Sequence, residues 1–182
     1  MGALSRDSLH EFFHPLVEKN YSAAGVHQPK LASYASALLE DFARQDRLCR
    51  VRGSRGEVLN KLHQMLDYSA EIGAVSSEQE RALRQYIGDY SLFMTGMFPE
   101  ALASRRRPVE GLKTFIWAGK TCYHLISVAG AGNRDETQTF ALLAEQFEAC
   151  MHGLQLLKSE LESFQDPGFP EVEMALRRLF EE

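Results

Sequence analysis

The chain has almost no strand vocabulary. No run of β-branched and aromatic residues alternates with polar ones, and neither Asn-Gly nor Asp-Gly occurs to close a hairpin, so no sheet is expected. Cysteine is scarce: Cys49, Cys122 and Cys150 are far apart, odd in number and outside any C-x-x-C. That excludes a disulfide framework and suits buried thiols in a reducing compartment. No stretch approaches the ~20 apolar residues that span a bilayer. The opening MGALSRDSLH has no basic region leading into an apolar one, so no secretory signal is expected. Arg6 stands where N-myristoylation would want Ser or Thr. Positive charge is not in excess either. Twenty Lys and Arg against 25 Asp and Glu leave a net −5, with no overall attraction for nucleic acid or anionic lipid. G-x-S-x-G, P-loop and H-E-x-x-H motifs are all missing. These absences point to a cytoplasmic protein with neither a nucleic-acid nor a membrane partner.

What is present is helix punctuation. A first helix is expected over Asp7 to Ala24, kinked or split by Pro15. A second starts at Pro29, a residue suited to a first helical turn, and carries Leu31, Tyr34, Leu38, Leu39 and Phe42 on one face. Arg50 to Gly56 reads as a basic connector. Ser54 with Glu57 makes a capping-box pattern ahead of a third helix through Val58, Leu62, Met65 and Leu66 to about Ile72. Ser76/Gln79 and Ser77/Glu80 repeat that pattern before a central helix that Pro99 ends. Pro108 opens a fifth helix, and Gly130-Ala131-Gly132 stops it near Ala129. Asn133 with Glu136 then caps a sixth. There Phe140, Leu143, Phe147, Cys150, Leu154, Leu157, Leu161 and Phe164 step by threes and fours in one continuous packing seam. A Pro-Gly break at 167–168 precedes a short amphipathic tail bearing Val172, Leu176 and Leu179. The fold class expected is all-α, a single-domain compact helical bundle of about seven helices covering residues 1–182, with 169–182 as a detachable tail helix.

In the central helix, from Tyr86 on, apolar side chains go nearly all the way round, the mark of a helix enclosed by its own protein. Gly88, Ser91 and Thr95 form a stripe of small residues where a neighbouring helix can come close. The segment G-D-Y-S-L-F-M-T-G-M-F-P-E, with the upstream L-L-E-D-F-A-R-Q-D-R-L, resembles a group of bacterial all-helical proteins with no established activity. The resemblance implies a bacterial cytosolic origin and carries no catalytic residue with it.

Several side chains could bear chemistry. Asp89 lies among hydrophobes, where a carboxyl group needs partners; Arg84, Lys120 and His63 are candidates, and a desolvated acid is the alternative. His63 flanks an apolar face with Asp67 one turn on. Lys113, Trp117, Lys120 and His124 repeat on one stripe of the fifth helix, and cations around an indole suit an anionic ligand or an acidic partner. His10 and His14, with a lone Glu11-x-x-His14, carry two metal-type ligands but no third, so no metal and no cofactor is expected. Glu148 and His152 fall outside the seam and read as a solvent-facing pair. Two functions are consistent with this pattern. One is a non-catalytic module that binds another protein or pairs with itself. The other is a small-molecule or cofactor bundle of the haem-oxygenase-like kind, built from His63, Asp89, Lys113, Trp117, Lys120 and His124, and it requires those groups to converge.

Overall fold

The structure, a computed structural model, describes residues 6–43, 51–72, 77–103, 111–130 and 133–163. Eight helices occur among them: α1 (Arg6–Ala23), α2 (Pro29–Ala43), α3 (Leu62–Ile72), α4 (Ser77–Met97), α5 (Pro99–Ala103), α6 (Leu112–Ala129), α7 (Arg134–Glu145) and α8 (Phe147–Ser163). The described residues contain no strand, only an isolated antiparallel bridge between Arg52 and Val58. The fold is an all-α helical bundle.

Local chemistry sets most boundaries. α1 runs unbroken through Pro15, which is exposed, so the expected split does not occur. Its C-terminus closes in a Schellman arrangement. Gly25 takes φ 84°, which a residue without Cβ adopts freely, while Val26 N donates to Tyr21 O at 2.8 Å and Gly25 N to Ser22 O at 3.1 Å. α2 begins at Pro29 as expected. α6 starts at Leu112 within the described residues; Pro108 lies outside them. Gly130 stops α6 at φ 63°, and Asn133 accepts from Glu136 N at 2.8 Å to cap α7.

Two expectations are corrected. Ser54 and Glu57 do not cap a helix. Gly53 and Gly56 reverse the chain there, with Gly56 at φ 82° and Gly53 N bonded to Glu57 O at 2.9 Å. The Glu57 carboxylate accepts from Arg55 N at 3.0 Å, and the helix waits until Leu62. A capping-box spacing and a glycine turn share the same residues, and the glycines decided.

The sixth helix is likewise two, α7 and α8, parted at Gln146 (φ −101°, ψ 22°). α7 packs on α6, whereas α8 packs on α4 and α1. One straight rod cannot follow both neighbours. The seam residues from Phe140 to Leu161 are nonetheless all buried; Phe164 and the 169–182 tail fall outside the described residues.

α4 is the axis of the bundle. Every residue from Ile87 to Met97 except Tyr90 is buried. Small residues let its neighbours approach. A Cβ on Gly88 would lie 2.5 Å from the Tyr123 ring of α6, and one on Gly96 would lie 2.5 Å from Leu154 Cβ of α8. Gly119 of α6 answers with its backbone against Phe147 and Ser91. Among the described residues no helix is long and apolar enough to cross a membrane.

Candidate functional site

The polar residues singled out by the sequence sort into a buried group and a solvent-facing one. Asp89, 8% exposed, projects from α4 into the core. Its Oδ1 accepts from the Tyr34 hydroxyl of α2 at 2.6 Å and from the Tyr123 hydroxyl of α6 at 2.8 Å. Gln85 Nε2 reaches the Tyr34 oxygen at 3.3 Å. The two phenol rings meet edge to face, 6.3 Å apart, and both lie against Phe140. Burial, and after it the charge of Asp89, hold both phenols well above their ordinary range. They therefore remain O–H donors at neutral pH. Arg84 turns instead to Glu80, with Nε at 2.8 Å, and Lys120 turns to Glu148. Asp89 thus fastens α2, α4 and α6 together, a role reached through tyrosines rather than the cations expected. Tyr34 and Tyr123 were legible as core residues but not as its partners. The usable signal was general: a buried phenol wants an acceptor and a buried carboxyl wants donors.

Thiol chemistry is quiet in this interior. Burial pushes Cys122 up to about 11 and Cys150 up to about 12, so neither is a nucleophile near neutrality. Cys49 lies outside the described residues.

The stripe on α6 faces the other way. Lys113 and His124 are exposed, and so is Trp117, the only tryptophan, at 60%; one further turn on, Val128 is 63% exposed. Lys120 bridges to both oxygens of Glu148 on α8 at 2.7 and 2.9 Å. Partial burial opposes ionisation of Glu148, yet Lys120 and a backbone N–H hold its carboxyl below the usual carboxylate range. His152, one turn beyond, is exposed as expected. Adjacent residues on α6 serve opposite purposes: Tyr123 points to Asp89 while His124 faces solvent.

His63 and Asp67 stand exposed on α3. Asp89 is therefore in the core while His63, on α3, and the stripe, on α6, face solvent, and these groups do not line one enclosed site. Between α1 and α2, His10 Nδ1 pairs with the buried carboxyl of Glu40 at 2.7 Å, and its ring stacks on His14 at 5.0 Å. His14 reaches Ser36 Oγ at 3.3 Å and Glu18 at 3.5 Å. Among the described residues no three His, Cys, Asp or Glu groups are arranged to hold a metal ion. No known protein family, characterised protein or solved structure matches the chain.

Proposed function

We propose that this chain is a non-catalytic protein–protein interaction module working through the outer face of α6, in a reducing, cytoplasmic setting. The observation that carries the reading is Trp117. A large indole left 60% exposed forgoes more than half of the roughly 1.5–3 kcal/mol that full burial of a big apolar side chain brings. Tryptophan is also the residue type most enriched where binding energy concentrates. Val128 extends the apolar line, while Lys113 and His124 supply a polar border. The ligand-bundle reading has less to work with, since Asp89 is already engaged by two tyrosines and the remaining candidates lie on the surface.

A photo-reactive amino acid placed at His124, with a control at the exposed Ser22 of α1, tests this in living cells. Adducts are expected from position 124 and not from 22, and they should vanish when Trp117→Ala is added. Equal yields from both positions, or adducts indifferent to Trp117→Ala, would defeat the reading.

A further inference from the structure

His10, His14 and Glu18 follow one another at intervals of four along α1, so each stands one turn beyond the last and the three span about 80° around the helix. α2 decides which nitrogens the two imidazoles present. Ser36, fully buried, gives its single hydroxyl proton to Ala32 O at 3.0 Å. Toward His14 Nδ1, 3.3 Å away, it can therefore only accept. The proton of the neutral His14 ring is then on Nδ1, and Nε2 carries the lone pair. His10 is held in the same way, its Nδ1 against the buried Glu40 carboxyl at 2.7 Å. The two rings lie nearly parallel, at 16° and 5.0 Å apart, so both turn Nδ1 to α2 and leave Nε2 on the side away from it.

Glu18 completes the pattern. Its Oε1 stands 3.5 Å from His14 Nε2, a carboxylate facing a lone pair. A charged hydrogen bond from an imidazolium would close to about 2.7–2.9 Å. Nitrogen and oxygen ligands bound at ~2.0–2.2 Å to one tetrahedral ion, by contrast, stand ~3.3–3.5 Å apart.

We infer that His10 Nε2, His14 Nε2 and the Glu18 carboxylate bind a divalent transition cation of the zinc class on the outer side of α1, with water in the fourth position. Imidazole and carboxylate together suit that class of ion. Glu40 and Ser36 are positioning residues, each engaging a ligand imidazole through the nitrogen the metal does not use. The three ligands do not stand converged. His14 and Glu18 already have the spacing, and His10, with 55% of its side chain exposed, closes on the ion by a small rotation about its Glu40 contact. The site is open to solvent and its ion exchangeable, unlike the closed four-ligand sites that hold a fold together. The third ligand was hidden in the sequence because Glu18 matters only once Ser36 has chosen the nitrogen that faces it.

Isothermal titration of the untagged full-length chain with zinc chloride tests this in a Cys49→Ser background; Cys122 and Cys150 are buried. One ion should bind per chain. His14→Ala and Glu18→Gln should each weaken binding at least tenfold, and Glu40→Gln roughly tenfold at unchanged stoichiometry. Glu11→Gln, exposed on the same helix, should leave it unchanged. Far-ultraviolet dichroism checks that each variant keeps its helices. Independently of any variant, copper(II) added to the wild type should give an electron paramagnetic resonance spectrum with the couplings of two imidazole nitrogens. No saturable zinc binding below about 1 mM, binding indifferent to His14→Ala or Glu18→Gln, or a copper spectrum with fewer than two such nitrogens would overturn the inference. Binding that ignores Glu40→Gln would overturn the positioning role of α2.

Discussion

Replacing Asp89 with leucine strips the acceptor from two tyrosine hydroxyls at once. The Tyr123 hydroxyl is enclosed in the core and has no route to water, so its loss falls in the range of about 1–3 kcal/mol for an orphaned buried donor. Tyr34 is only half-buried, which places it at the lower end of that range, although Gln85 Nε2 donates to its oxygen and cannot replace the lost acceptor. Asp89→Leu should therefore cost roughly 2–4 kcal/mol. Asp89→Asn is a milder change for a specific geometric reason. Both hydroxyls donate to the same oxygen, Oδ1, and an asparagine carbonyl placed there can still accept both. What is lost is the charge assistance, about 1–2 kcal/mol over two bonds. Adding Tyr123→Phe to Asp89→Leu removes the stranded donor and should restore about 1–2 kcal/mol of the leucine penalty. Urea unfolding at neutral pH, followed by far-ultraviolet dichroism, measures all three. Stability of Asp89→Leu within about 0.5 kcal/mol of wild type would refute the fastening role. A double variant no more stable than Asp89→Leu alone would show that the hydroxyl of Tyr123 was never the liability.

Leu154→Ala should cost about 2–5 kcal/mol in the same assay because its side chain is wholly buried against Gly96, whereas His152→Ala, exposed two residues away on the opposite face of α8, should stay within ~0.5 kcal/mol. Gly153→Ala should destabilise by about 1–3 kcal/mol despite alanine's better helix propensity, since the new methyl would sit 2.5 Å from the Tyr21 ring; thermal melts would show it. Stability should also fall in strong alkali. Burial raises the folded-state pKa of Tyr21, Tyr34 and Tyr123, so above about pH 10 the unfolded chain releases phenolic protons that the native chain retains. The unfolded state then binds fewer protons, and unfolding free energy drops by up to ~1.4 kcal/mol per pH unit for each such group. Phenolate absorbance should appear together with loss of helix, and phenolate that forms in a still-helical protein would contradict this.

What was readable in the sequence was whatever a few neighbouring residues decide together. Pro29, Gly130 and the Asn133/Glu136 pair fixed helix ends because each acts on backbone within one turn of itself. The α6 stripe was readable because residues four and seven apart share a face whatever surrounds them. The break at Gln146 was not, since it depends on α7 and α8 lying against different helices. The partners of Asp89 were hidden for the same reason: Tyr34 is 55 residues away and Tyr123 is 34. At Ser54 and Glu57 a local rule was available but a competing one, the Gly53–Gly56 turn, prevailed.

The parting of α7 from α8 also bears on the order in which the protein is made. α1 is covered by α2, its immediate successor, and by α8, and the lock between α1 and α8 joins residues about 140 positions apart, through Lys19 and Asn20 to Glu160. During synthesis α1 emerges before α8, and Gly153, against which the Tyr21 ring packs, follows more than 100 residues later. At ~5–20 residues per second the ribosome takes roughly 6–25 s to cover that distance. Throughout that interval the apolar flank of α1 that α8 will cover is open to other chains. The nascent protein would be most vulnerable then, and a chaperone that recognises apolar helices would find its substrate in the unfinished chain rather than in the completed one.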